Sequence, residues 1–152
     1  MHLHGAVAGA FPLRVADLLF AGPELLVVEH EYVGSLVGLA RGRVGAATER
    51  ARERYVADGV AGLLDAAERT RRIPYERLRR VRVYEGRFVR PKVAVDVSDG
   101  PPHAVRVHAP VDVDALVDAL RSLGERRDFA VESRAGAGID LRNGVRRVLG
   151  RH

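Results

Sequence analysis

Valines fall on odd-numbered positions through three consecutive segments of the chain. In 78–84 they are Val81 and Val83, in 88–97 Val89, Val93, Val95 and Val97, and in 103–109 Val105 and Val107. Side chains of a strand alternate between its two faces, so each segment reads as a strand with one apolar side. Antiparallel neighbours keep their apolar sides together only when paired positions share parity. The shared parity predicts an antiparallel meander. Val83 opposite Val89 leaves a three-residue loop, Glu85-Gly86-Arg87, in which glycine supplies a positive φ. Val97 opposite Val105 leaves a longer turn around Asp99-Gly100-Pro101-Pro102.

Elsewhere the period changes. ELLVVEHEYV (24–33) alternates as a strand, with Leu26, Val28, His30 and Tyr32 on one face and Leu25, Val27, Glu29 and Glu31 on the other. Gly22-Pro23 before it is a turn, and LRVADLLF (13–20) reads as a strand or a short helix. Residues 1–12 read as a loose arm or an extended lead-in, and the glycine-punctuated 34–45 as a second short strand with turns. From 46 to 72, Ala51, Tyr55, Val56, Val60, Leu63, Leu64 and Ala67 recur at helical spacing, with Thr48 as an N-cap and Pro74 as the stop. Gly59 and Gly62 each cost a helix about 1 kcal/mol against Ala, so a broken helix or helical hairpin is expected. The firmest helix is 109–124. Asp112 caps it, Asp114 lies in its first turn, Val113, Leu116, Val117, Leu120 and Leu123 form its apolar stripe, and Gly124 suits its C′ position. FAVE (129–132) is a candidate added strand, and 139–152 a short amphipathic helix with Arg146, Arg147 and Arg151.

These elements make one domain over 1–152, with an arm at 1–12, a helical insertion at about 46–70 and an extension over 125–152. The chain has no cysteine, which excludes disulfides, thiolate metal sites and a Cys nucleophile. No apolar run reaches the roughly 20 residues that span a bilayer, and MHLHGAVAGAF lacks a cationic leader region, so a cytoplasmic protein is expected, at most peripheral at the membrane. Lys92 is the lone lysine among 25 basic residues. So strong an arginine bias weakens arginine as a sign of nucleic acid, and its distribution says more. Residues 1–68 carry net −3, residues 69–92 net +8 and residues 93–152 net 0.

The run RRIPYERLRRVRV (71–83), then VAVDVSDG (93–100), HAVRVHA (103–109) and DVDALVDALRSL (112–123), resembles the small PH-like domains of bacteria and archaea, related in fold to pleckstrin-homology and GRAM modules. The likeness lies in the order: a basic Ile-Pro-Tyr lead-in, strands joined at an Asp-Gly turn, then one closing helix. It covers about a third of the chain, or about two-thirds if residues 24–40 hold the first strands. It implies an α+β fold, a partly closed antiparallel β-barrel capped by a C-terminal helix. It implies no catalytic residues. The insertion at 46–70 and the tail after 124 depart from the plain pattern.

Even positions of the meander face outward: Arg80, Arg82 and Tyr84, then Phe88, Arg90, Lys92, Ala94 and Asp96, then Arg106 and His108. Guanidinium forks suit phosphate oxygens, and aromatic faces suit bases or lipid interfaces. Arg80, Arg82, Arg90, Lys92 and Arg106 are therefore the candidate anion-binding residues. The plainer reading is a solvated sheet face in an arginine-rich sequence, partly neutralised or covered by the acidic helix at 46–70.

His2-Leu3-His4 has a chelating spacing, but two imidazoles on a loose arm make a weak site, so no metal is expected. His30 reads as a hydrogen-bonded, half-buried histidine rather than a catalytic one. Phosphate-binding loops and nucleophile elbows are absent. No cofactor and no catalytic residue are expected, though a deep pocket lined by His30 and carboxylates would reopen the enzyme case. The sequence thus reads as a non-enzymatic PH-like interaction module for a protein partner or an anionic membrane surface. The alternative is a nucleic-acid-binding protein using the same face, and self-association through an open sheet edge is a further option.

Overall fold

The structure is a computed structural model and describes residues 1–9, 13–32, 42–86 and 89–136. Eight strands form one sheet: β1 (His2–Ala8), β2 (Arg14–Ala21), β3 (Glu24–Tyr32), β4 (Arg69–Pro74), β5 (Leu78–Tyr84), β6 (Lys92–Val97), β7 (His103–Val107) and β8 (Ala130–Arg134). Two helices, α1 (Arg43–Asp65) and α2 (Val113–Arg127), complete the described elements with a 3-10 turn at Tyr75–Arg77. The strand order is β4-β3-β2-β1-β7-β6-β5-β8. All pairings are antiparallel except β5–β8, which is parallel. The fold is α+β, as the sequence implies, but the sheet does not close into a barrel. The strand order ends at β4 on one side and β8 on the other.

One face of the sheet holds the main core. Leu18, Phe20, Leu25, Val27, Val81, Val83, Val93, Val95, Val105 and Val107 meet Leu116, Val117 and Leu120 of α2 there. The odd-numbered valines of the meander that are described in strands thus point inward. Parity holds although the register does not. Val83 pairs with Val93 rather than Val89, and Val93 rather than Val97 pairs with Val105. Each error is four residues, an even number, so the faces survive it. The described part of the expected strand start, residues 89–91, is instead part of the connection, where Val89 is exposed.

α2 starts at Asp112, whose side chain accepts the Ala115 N–H at 3.0 Å. It runs past Gly124 and ends at Asp128, the residue in the left-handed conformation (φ 60°). Gly124 is needed for contact rather than for a stop: a Cβ there would lie 2.5 Å from the Phe129 carbonyl oxygen. The chain folds back at that point into β8, the added strand expected near 129–132.

The other face of the sheet is covered over β1–β3 by α1. Val7 and Val15 pack on Val44 and Ala47, while Leu19, Leu26 and Val28 pack on Ala51 and Leu63. The helix begins at Arg43 with Gly42 as its N-cap, so Thr48 lies inside it and turns its hydroxyl to the Val44 carbonyl at 2.7 Å. It breaks at Gly59 (φ 63°, ψ −145°), as the glycines predict. Gly62 lets the second segment close against the first, because a Cβ there would stand 2.7 Å from the Arg54 carbonyl oxygen.

Three segments differ from the sequence reading. The N-terminal residues are not a loose arm: His2–Ala8 is an inner strand paired with both β2 and β7. Residues 69–74, read as the end of a helix, form edge strand β4. The predicted strand at 34–45 falls mostly outside the described residues, and its described end belongs to α1, as does the lower end of the 46–70 helix. The helix expected at 139–152 also lies outside them.

Candidate functional site

The basic stretch does not stay together in the fold. Arg69, Arg71 and Arg72 are on edge strand β4, while Arg80 and Arg82 are on β5 toward the opposite end of the sheet order. Arg72 bonds to Glu24 at 2.7 Å, and Arg71 reaches His103 at 3.0 Å. Alternation explains the rest. With Val81 and Val83 inward, Arg80, Arg82 and Tyr84 face out, next to Asp96, Ala94 and Lys92 of β6. Lys92 pairs in register with Arg106 of β7. Arg82, Lys92 and Arg106 therefore stand on three adjacent strands of one outer face. Arg80 lies one row away, and Arg90 joins from the connection before β6. Phe88, also expected on this face, lies outside the described residues.

α1 does not cover this row, because its packing partners are in β1, β2 and β3, and its own charges balance: Glu49, Glu53, Asp58 and Asp65 against Arg43, Arg50, Arg52 and Arg54. Neighbouring strands supply the counter-charges. Arg82 is paired with Asp96 and donates to the Tyr84 hydroxyl at 2.9 Å. Burial pushes the Arg82 pKa down, but the Asp96 carboxylate outweighs this and raises it. Arg80 pairs with Glu132 of β8 at 2.7 Å, and Glu132 also takes Arg134 at 2.6 Å. These pairings identify Arg80 and Arg82 as members of ion pairs within the sheet.

The β6–β7 end is different. Arg90 donates to the His108 carbonyl at 2.6 Å, and Arg106 makes a long contact of 3.5 Å to the Arg90 carbonyl. Among the described residues, both guanidinium groups therefore rest on backbone oxygens and not on carboxylates. Lys92 sits over the Tyr84 ring, 5.3 Å from its centre. Burial, and then the fields of Arg90 and Arg106, push the His108 pKa below 6.5.

A second polar site lies under α1, where sequence reasoning looked past it. In β1, His4 and Gly5 stand opposite the single residue Asp17 of β2, forming a bulge. Gly5 has φ 66°, and a Cβ on it would come within 2.8 Å of Thr48 in α1. Its N–H donates to Asp17 Oδ1 at 3.0 Å. The other oxygen of Asp17 takes His30 Nε2 at 3.1 Å and lies 3.5 Å from His2 Nε2. Tyr55 of α1 packs on the His2 ring, with centroids 4.5 Å apart. Asp17 is wholly buried. Burial pushes its pKa up, but the hydrogen bonds and charges of His2 and His30 outweigh it and hold the carboxyl at about 2.

His30 is thus the hydrogen-bonded histidine that its place on an apolar face predicts, though more deeply buried than expected. The His2-Leu3-His4 pair is on an ordered strand rather than an arm. Among the described residues, no three His, Asp or Glu side chains are arranged to hold a metal ion. The sequence signal for this site was Asp17 itself, a carboxylate inside the apolar run LRVADLLF.

No helix among the described residues is long and apolar enough to cross a membrane. No protein-family model and no curated protein matches the chain. Among solved structures, the chain is similar to the hSac2 domain from the human phosphoinositide phosphatase Sac2, with a TM-score of 0.51 and 10% identity over 91% of this chain and 78% of that one. That domain has a PH-like fold, and the likeness is one of fold.

Proposed function

We propose that this protein is a non-enzymatic PH-like interaction module that docks on an anionic membrane surface through the outer face of β5–β7. The observation that carries this reading is the placement of Arg90 and Arg106 around His108, with their guanidinium groups on backbone oxygens rather than carboxylates. Lys92 and Tyr84 extend the same corner. Arg80 and Arg82 belong to the docking surface by position, but their partners Glu132 and Asp96 dilute their charge. The named chemistry of the fold's relative, a phosphoinositide phosphatase, makes phosphoinositide a reasonable second lipid to try beside phosphatidylserine.

Surface cations near an anionic bilayer contribute about 1 kcal/mol each, so removing two should weaken binding by at least about tenfold. The test is flotation with phosphatidylcholine vesicles, with and without phosphatidylserine or phosphoinositide, across a salt series. Binding to anionic vesicles alone, falling with salt and weakened at least about tenfold in the Arg90→Ala/Arg106→Ala double variant, supports the reading. No binding at low salt, or undiminished binding by the variant, sinks it. Retention of generic duplex DNA with a steep salt dependence, in place of vesicles, would turn the same face to nucleic acid.

A further inference from the structure

His30 forms part of the wall of a cleft of about 200 Å³ between α1, β3 and the connection at 66–68. Ala47, Ala51 and Ala66 leave the space, and Arg50, Arg54, Glu31 and Glu68 edge it. The edge charges are unequally committed. Glu31 is held by Arg50, and Glu68 by Arg14 at 2.7 Å. Arg54 has no hydrogen-bond or ion-pair partner among the described residues.

The chemistry of the ring follows from its partner. Asp17 is ionised and only accepts, so the His30 Nε2 facing it carries a proton. Nδ1 has no hydrogen-bond partner among the described residues. A neutral ring therefore keeps a lone pair on Nδ1. A protonated ring becomes a donor there, with the Asp17 carboxylate 3.1 Å from its other nitrogen.

We propose that the cleft binds a small oxyanion, a carboxylate or a sulfate-like or phosphate-like group, between the Arg54 guanidinium and the His30 ring, with uptake of one solvent proton on His30 Nδ1. The imidazolium is then held between two anions, Asp17 and the ligand, and Arg54 supplies the second cation. The other titratable groups lining the cleft are Glu31 on β3, Arg50 on α1 and Glu68, while His2 stands beside Asp17 with His4 and Tyr55 against its own ring. His2 shares the Asp17 oxygen, while Glu31 and Glu68 already have arginine partners. Ligands of drug size occupy roughly 300–1,000 Å³, so this cleft suits a group of only a few heavy atoms. It lies over β3, away from Arg90 and Arg106, and does not depend on vesicle binding.

The experiment is an amide NMR titration of the whole chain with sodium acetate or sodium sulfate at constant ionic strength. Both probes stay ionised between about pH 6 and pH 8, so the protein's own imidazoles set any pH dependence. Saturable shifts are expected at Ala47, Arg54 and Ala66, with affinity falling about tenfold from pH 6 to pH 8. Arg54→Ala, at an exposed helix position that leaves the fold intact, should weaken binding about tenfold. His30→Asn should remove the pH dependence. If that variant does not fold, Arg54→Ala and the wild-type pH series still decide the matter. Linear, unsaturating shifts, equal affinity at both pH values, or unchanged binding by Arg54→Ala would each overturn the proposal. Saturation by acetate but not sulfate restricts the ligand to carboxylates, and the reverse restricts it to tetrahedral oxyanions.

Discussion

Over β1–β3 the outer face of the sheet lies beneath α1, and the carboxylate there, Asp17, is fully buried. Over β5–β8 the same face bears Asp96 and Glu132, whose side chains are 27% and 34% exposed. Both regions match acids to bases, but water changes what the matching is worth. Asp17 gathers one backbone N–H and two imidazoles in a space that has no solvent to replace them. Asp96 and Glu132 hold arginines that solvent would serve almost as well. The first arrangement ties β1, β2 and β3 together beneath their helical cover. The second sets the net charge that a partner would meet. The comparison separates a structural use of charge from a presented one within a single sheet.

The largest expected effect tests the buried side. Asp17→Ala leaves the Gly5 N–H and His30 Nε2 without their acceptor and removes the carboxylate 3.5 Å from His2 Nε2, which should cost about 3 kcal/mol or more in urea unfolding. Wild-type stability should also fall in acid in two steps. His4, His103 and His108 are pushed below 6.5 chiefly by burial, so the fold favours their neutral forms. Their contribution is present above about pH 6.5 and declines as pH drops below it. Asp17, depressed from 3.8 to about 2, contributes stability above its unfolded value that is lost as pH falls from 3.8 toward 2. Over that interval the loss is roughly 2 kcal/mol. Asp17→Ala should abolish the lower step and retain the upper one. Survival of the lower step in the variant would place its origin elsewhere.

The next effect concerns the cover rather than the carboxylate. Gly62→Ala puts a methyl group 2.7 Å from the Arg54 carbonyl oxygen and from Asp58 Cβ. Helix propensity favours alanine by about 1 kcal/mol, but a contact this close forces the two segments of α1 apart. A net loss of about 1–2 kcal/mol is expected, with faster hydrogen exchange through α1. Amides of β5–β7 should keep their protection and vesicle binding should stay unchanged. Faster exchange in both halves would mean that the cover and the open face form one cooperative unit.

The sequence disclosed faces better than edges. Alternation placed Val81, Val83, Val93, Val95, Val105 and Val107 in the core, because a buried side leaves a period-two trace. It could not set the register, since a slip of four leaves every face unchanged. β4 left no such trace, because an edge strand with Arg69, Arg71 and Arg72 exposed has little apolar surface to alternate. β1 was hidden by its bulge: His4 and Gly5 share one position opposite Asp17, which shifts the alternation midway. The candidate basic face was legible as a row of even positions. Its division into carboxylate-paired and carbonyl-bound arginines was not, because Glu132 arrives from β8 after a helix and pairs across a parallel connection. The buried polar cluster joins residues 2, 5, 17 and 30 from three strands, and only the fold sets those residues side by side.

The smallest stability effect is the sharpest test of the open side. At the surface Glu132 pairs with Arg80 and accepts hydrogen bonds from Arg134. The hydrogen bond from Arg134 lowers its pKa most, desolvation opposes it next, and the charges of Arg134, Arg80 and Arg82 add to the lowering. Solvent screens such a network, so Glu132→Gln should leave the urea midpoint unchanged within error. The face would nevertheless gain one positive charge and lose the acceptor that holds Arg80. Binding to anionic vesicles at low salt should rise about threefold to fivefold, and the gain should vanish at high salt. Asp17→Ala should do the reverse, lowering stability without strengthening vesicle binding. If Glu132→Gln instead destabilises the fold and leaves vesicle binding unchanged, the outer charges of β5–β8 serve the sheet as Asp17 does, and the distinction between buried and presented charge fails.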